Sequence, residues 1–172
     1  GGVGKTTMME QLKTDVNATK MFDLVVKVVL GENTDTIALQ QAIAKYISLE
    51  DLKEETIDAR ADGLRKISEE KSKQGKKTLV IMDDLWKAVD LKDFGLSPLP
   101  NGFKVLFTSR DERVCSHMGV NIKSIFTLDF LNDDEAKKLF FGTVGLSDGD
   151  EHAFQKIGED IVKKCGGLPL AL

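Results

Sequence analysis

G-G-V-G-K-T-T, residues 1–7, is the stretch that decides the fold of this chain. It matches the end of the phosphate-binding pattern G-x-x-x-x-G-K-[ST], whose first glycine would lie two positions before Gly1. Glycines let backbone N–H groups turn inward around phosphate oxygens, and a helix that starts at Lys5 adds further free N–H groups. The alternative is an ordinary glycine-rich turn that enters a helix. We expect a phosphate-binding loop formed by Gly2, Val3, Gly4, Lys5, Thr6 and Thr7.

Two aspartates end a second informative stretch, T-L-V-I-M-D-D at residues 78–84. Its apolar run predicts a buried strand, and an α/β sheet places its ligands at the carboxyl ends of its strands. Alone, the aspartates would more often indicate an acidic turn. Beside a phosphate loop we expect Asp83 and the Thr6 hydroxyl to ligate Mg²⁺, and Asp84 to orient or deprotonate a water. Lys5 would supply positive charge to the β- and γ-phosphates.

A further strand is predicted over F-K-V-L-F-T, residues 103–108, and Arg110 follows it. Its guanidinium could reach the γ-phosphate and stabilise developing charge. A surface arginine paired with Asp111 or Glu112 is equally favoured by the sequence alone. Trp86, which comes shortly after the two aspartates, is predicted to be a packing residue and not a ligand contact.

The rest of the first part of the chain alternates strands and helices. A β-branched run at residues 24–30 predicts a strand covered on both faces, and apolar spacing predicts helices over residues 5–19, 35–48 and 53–74. Residues 124–128 predict a last short strand. We therefore expect an α/β fold with a doubly wound parallel sheet.

From about residue 131 the pattern predicts helices only. N-D-D-E at residues 132–135 resembles a capping box that opens one helix. A second helix carries apolar residues at helical spacing, namely Phe154, Ile157, Ile161 and Cys165. We place a domain boundary here, between residues 1–130 and residues 131–172.

Composition narrows the functional class. The 172 residues carry a net charge of −4, which argues against a nucleic-acid surface, and no apolar run approaches a membrane span. Two cysteines suit a reducing compartment better than a disulfide framework. The chain starts and stops inside motifs, so we expect a fragment that lacks the strand before Gly1 and is aggregation-prone by itself.

The ordered motifs resemble the nucleotide-binding (NB-ARC) domain of plant nucleotide-binding leucine-rich-repeat disease-resistance proteins. They are G-G-V-G-K-T-T, the strand at residues 25–30, L-V-I-M-D-D-L-W, F-K-V-L-F-T-S-R, L-N-D-D-E-A-K-K-L-F and C-G-G-L-P-L-A-L. The resemblance covers the whole chain, and Trp86 after the two aspartates is similar to the coiled-coil subclass. Two departures are present. Lys27 and Gly31-Glu32 replace the more usual tryptophan and serine, and Ser109 replaces the second threonine of T-T-R.

The resemblance implies a P-loop NTPase sheet whose first, central strand is missing, followed by part of the helical ARC subdomain. The strand ending at Arg110 would lie between the phosphate-loop strand and the Asp83 strand. Pro169 of G-L-P-L would pack against the adenine.

The function implied is an ADP/ATP switch in plant defence signalling, with slow Mg²⁺-dependent ATP hydrolysis. Its partners would be an adenine nucleotide and the coiled-coil and leucine-rich-repeat domains of the same receptor. The resemblance also implies a cytoplasmic location and allows oligomerisation on activation.

Four alternatives remain open from the residues. A small-molecule phosphotransferase would need a lid and acceptor-binding groups, and a GTPase would need an N-K-x-D guanine reader, which the sequence lacks. A nucleic-acid motor is disfavoured by the acidic balance. An inactive gene copy is the fourth.

Overall fold

The computed structural model describes residues 2–49, 51–145 and 151–172, and gives only the backbone of residues 151–155. Gly1 and the side chain of Phe154, which carried parts of the predictions above, lie outside the described residues. The chain divides into a sheet unit, residues 9–125, and a helical unit, residues 1–8 with 126–172. The functional domain boundary after residue 130 stays a prediction.

Three parallel strands form the sheet, in the order β1-β2-β3. They are β1 (Leu24–Gly31), β2 (Thr78–Leu85) and β3 (Phe103–Ser109). Their aliphatic and β-branched residues suit a sheet that is covered on both faces. The register sets Val29 opposite Asp83, and it shifts between Met82 and Leu85, where β2 ends.

Six helices accompany the strands in the described part of the chain. They are α1 (Lys5–Thr19), α2 (Thr36–Ser48), α3 (Ile57–Lys73), α4 (Glu112–His117), α5 (Asp133–Val144) and α6 (Glu151–Cys165). Short 3-10 turns occur at Leu91–Phe94, Ile122–Ser124 and Pro169–Ala171.

Helices cover both faces of the sheet, as a doubly wound fold requires. On one face, Met9 and Val16 of α1 pack in a buried cluster with Leu79 and Ile81 of β2. On the other face, residues of α2 and α3 pack against alternate strand residues in a larger cluster; its fully buried members include Val26, Ile43, Leu64, Val80 and Met82. The predicted α/β fold is confirmed, and the chain has the parallel sheet of a P-loop NTPase.

The strand predicted over residues 124–128 was wrong. Ile122–Ser124 forms a 3-10 turn, and the segment that follows is in no strand. Ile125 has extended backbone angles, but an extended segment becomes a strand only when a neighbour shares its backbone hydrogen bonds. No described strand pairs with this segment, and Phe126 and Phe130 are 84% and 63% exposed.

Local capping and one close backbone contact define the helical unit. Asn132 and Glu135 form the predicted capping box at the start of α5. Leu131 N–H donates to the Gly167 carbonyl at 2.8 Å. A Cβ at Gly167 would lie 2.2 Å from the Leu131 carbonyl oxygen, and its φ is +73°, so only glycine fits there.

Candidate functional site

The carboxyl ends of β2 and β3 bring four predicted or neighbouring polar residues together. We call Asp83, Asp84, Thr108 and Arg110 the strand-end cluster. Asp83 is 2% exposed, and the Thr108 hydroxyl donates to its Oδ1 at 2.6 Å. The backbone N–H of Asp84 donates to the same Thr108 oxygen at 2.9 Å. Thr108 therefore fixes both aspartates relative to β3.

Sequence reasoning missed this role of Thr108. The available signal was the hydroxyl of Thr108, which ends one predicted strand beside another strand that ends in two aspartates. Ser109, the departure noted in the sequence, donates from its hydroxyl to the Leu85 carbonyl at 2.8 Å. This hydroxyl thus ties the end of β3 to β2.

Asp84 holds Arg110 and Trp86 in a small polar group. Asp84 has a φ of +59°, a conformation that aspartate tolerates better than most residues. Its carboxylate accepts hydrogen bonds from Arg110 Nε at 3.2 Å and from Trp86 Nε1 at 3.0 Å. The guanidinium carbon lies 4.8 Å from the centre of the Trp86 ring, within cation–π range. Arg110 is thus oriented by two partners.

The packing role predicted for Trp86 was wrong. Its side chain is 47% exposed and is not part of the core; the ring stacks on the Arg110 guanidinium, and its N–H donates to the Asp84 carboxylate. Arg110 also has a different partner from Asp111 or Glu112, the alternatives offered by the sequence. Asp111 bonds to Arg113 at 2.7 Å, while Arg110 turns to Asp84.

A lysine faces the strand-end cluster from β1. The ammonium of Lys27 lies 3.3 Å from Asp83 Oδ2 and also donates to the Glu10 carboxylate of α1. The hydrogen bond to Glu10 raises the pKa of Lys27 against the opposing effect of burial, and the same bond lowers the pKa of Glu10. Lys27 is therefore an ammonium ion at neutral pH. A lysine within a run of valines was the sequence signal, because a buried charge requires a partner.

The residue types at Asp83 fit a magnesium ion, because Mg²⁺ prefers carboxylate and hydroxyl oxygens. Within the described residues, no group of three or more His, Cys, Asp or Glu side chains could hold a metal. A metal at Asp83 would depend on hydroxyl, phosphate and water ligands. Both Asp83 oxygens already have protein partners, Thr108 and Lys27, so an ion would have to share this carboxylate with an ammonium.

The phosphate loop lies in the helical unit. Gly2 and Gly4 have φ values of +84° and +92°, the conformation for which glycine is suited. Met8 N–H donates to the Gly4 carbonyl at 2.8 Å. The backbone N–H groups of α1 before Met8 belong to the first turn, where a helix offers them no acceptor. The structure thus has two positive-φ glycines directly before the start of α1, and the binding of phosphate by this loop stays a prediction.

The loop contacts the G-L-P-L segment within the same unit. Leu170 N–H donates to the Gly2 carbonyl at 3.2 Å, and a Cβ at Gly2 would lie 3.0 Å from Leu170 Cβ. Pro169, predicted to contact adenine, therefore belongs to a segment beside the loop. Lys5 is half-buried, and Thr6 and Thr7 are exposed in the first turn of α1.

The comparisons with known proteins agree with these motifs. The family model described as the NB-ARC domain matches residues 1–149. A probable disease resistance protein of Arabidopsis thaliana is 36% identical over 180 residues, covering 100% of this chain and 20% of the relative. A disease resistance protein of the same plant is 33% identical over 177 residues, covering 100% of this chain and 17% of the relative.

The chain spans about a fifth of the length of the curated relatives it matches. In the described part of the chain, no helix is both long and apolar enough to cross a membrane.

Proposed function

Because the chain belongs to the NB-ARC domain family, we propose that it is the ADP/ATP switch of a plant disease-resistance receptor. The strand-end cluster is the observation that supports this proposal most. It sets Asp83, Asp84 and Arg110 side by side at the carboxyl ends of adjacent parallel strands, where α/β sheets bind ligands. The relatives' disease-resistance names support the signalling role.

Each candidate residue receives a role in the proposal. Lys5 and the N–H groups of residues 2–7 bind the phosphates, because a helix N-terminus and an ammonium both attract anions. Pro169 packs against the adenine. When ATP is bound, Thr6 and Asp83 would hold Mg²⁺, and the ion would supply charge neutralisation to the triphosphate tail.

Arg110 distinguishes the two nucleotides. It is half-exposed and is held by Asp84 and Trp86, so a γ-phosphate can compete with Asp84 for the guanidinium. An Asp84 carboxylate released from Arg110 is then free to orient or deprotonate a water, which gives slow hydrolysis. The exchange of Arg110 between Asp84 and phosphate is the proposed local event of the switch.

The remaining partners are part of the same proposal. The coiled-coil and leucine-rich-repeat domains would belong to the longer receptor, of which this chain is about a fifth in the relatives. We place the receptor in the cytoplasm, with oligomerisation on activation.

Identification of the bound nucleotide tests the proposal. The purified protein is denatured, and the released nucleotide is separated by chromatography. We expect ADP, and competition in which ATP displaces a fluorescent ADP while GTP does not. A guanine nucleotide, or no nucleotide and no binding, would contradict the switch.

A paired substitution tests the role of Arg110. Arg110→Met should weaken ATP binding about tenfold and leave ADP binding unchanged, because only ATP offers a γ-phosphate. Arg113→Met is the matched control, since Arg113 is 84% exposed and bonds only to Asp111 among the described residues. Equal losses of ATP and ADP affinity in Arg110→Met would contradict a sensor role.

A further inference from the structure

Lys27 is the charged side chain buried beside the proposed magnesium ligand. It lies in the middle of β1, opposite Ile81 of β2, and its side chain is 12% exposed. Burial of an ammonium is costly unless it is paired, so its partners show what it does. Those partners are Asp83, which is 3% exposed at its side chain, and the exposed Glu10.

The hydrogen bonds of Asp83 leave little room for another cation. Thr108 donates to Oδ1, and the Lys27 ammonium lies 3.3 Å from Oδ2. An ammonium and a divalent ion at one carboxylate repel each other, and Mg²⁺ gives up its water shell reluctantly. Lys27 therefore competes with Mg²⁺ for Asp83.

The net charge of Lys27, Asp83 and Glu10 also indicates that Lys27 competes with Mg²⁺. With Lys27 as an ammonium, Asp83 and Glu10 keep together one uncompensated negative charge. Without the ammonium charge, the two carboxylates would carry two negative charges, which a divalent ion would balance. Lys27 thus already neutralises one of the two negative charges, as a built-in monovalent cation.

We propose that Lys27 is the resident counter-cation of Asp83, and that it makes the binding of ADP independent of Mg²⁺. The inference rests on the proposed nucleotide function. Lys27 acts as a positioning and specificity residue, because it reaches the nucleotide only through the carboxylate that it occupies.

The affinity for a fluorescent ADP, measured with millimolar Mg²⁺ and with EDTA, tests the inference. For the natural chain we expect the two dissociation constants to agree within about twofold. For Lys27→Gln, which keeps a hydrogen-bond donor but removes the charge, Mg²⁺ should tighten binding about tenfold or more. A purely structural role would change both dissociation constants by the same factor and leave their ratio alone.

Two variants serve as controls. Lys27→Arg keeps the positive charge and should retain the insensitivity to Mg²⁺. Lys45→Gln removes another lysine whose ammonium lies 3.3 Å from a carboxylate, that of Asp51, but at an exposed position of α2. It should also behave as the natural chain does.

The outcomes separate the inference from the function on which it rests. Strong Mg²⁺ dependence in the natural chain, or no Mg²⁺ dependence in a folded Lys27→Gln, would overturn the role of Lys27. Absence of nucleotide binding in the natural chain would overturn the switch itself. If Lys27→Gln does not fold in a thermal melt, the natural chain and Lys27→Arg still test the inference. Mg²⁺-dependent ADP binding in either of them would overturn the role of Lys27.

Discussion

Two buried threonines in the same sheet should respond in opposite ways to the same substitution. Thr108 is 7% exposed, donates to the Asp83 carboxylate and accepts the Asp84 N–H. Thr78 is fully buried, and its hydroxyl has no hydrogen-bond partner among the described residues. Valine keeps the shape of threonine and replaces the hydroxyl with a methyl group. The two variants thus isolate the hydrogen bonds of the strand-end cluster.

The expected free energies follow from these contacts. Thr108→Val leaves a buried carboxylate oxygen and an N–H without their partner, which should lower the free energy of unfolding by about 2–4 kcal/mol. Thr78→Val removes a hydroxyl that was desolvated without compensation, and should raise the free energy of unfolding by about 1 kcal/mol. Thr108→Ser retains the hydroxyl and should cost only about 1 kcal/mol for the lost methyl group.

Urea unfolding followed by circular dichroism measures these differences, with a common slope as evidence that the unfolded state is unchanged. Equal effects of Thr108→Val and Thr78→Val would refute the reasoning. So would a Thr108→Ser variant as unstable as Thr108→Val, because the hydroxyl would then contribute nothing.

Three other predictions concern backbone, electronic and pH effects. Gly167→Ala should lower the melting temperature far more than Gly75→Ala, since both have positive φ but only Gly167 has a backbone oxygen in the way; equal shifts would contradict the close contact. Trp86 is the one tryptophan of the chain, so Arg110→Met should change its fluorescence without nucleotide, and an unchanged spectrum would contradict the stacking. The backbone N–H of Lys77 donates to the Asp23 carboxylate and lowers the pKa of Asp23. The ionised carboxylate therefore stabilises the folded chain above about pH 4, and this contribution is lost as the pH falls through the lowered pKa. In urea unfolding, Asp23→Asn should therefore be less stable than the natural chain at neutral pH, and a deficit that persists in strong acid would count against this.

The sheet was predictable because its signals are local. The valine run of β1 and the apolar run before Asp83 each identify a strand without reference to the rest of the chain. The strand expected over residues 124–128 failed because pairing depends on a neighbour, which no local pattern reports. The capping box at Asn132 succeeded since both of its hydrogen bonds lie within four residues.

The site was predictable only as far as its residue types. Aspartates at a strand end indicated Asp83 and Asp84, but the partners of each carboxylate come from other strands and from α1. Trp86 was misassigned because a tryptophan can pack in a core or stack on a cation, and the choice depends on where Arg110 turns. Lys27 was noted only as a departure, although its position among valines called for a buried partner.

Nucleotide affinity in Lys5→Ala tests the central claim most directly, with Lys13→Ala, further along the same helix, as the matched control. If the opening loop binds the phosphate tail of an adenine nucleotide, Lys5→Ala should weaken ADP binding about a hundredfold, or about 2.7 kcal/mol, while Lys13→Ala leaves it unchanged. Equal ADP affinity in the natural chain and in a folded Lys5→Ala variant would contradict the account.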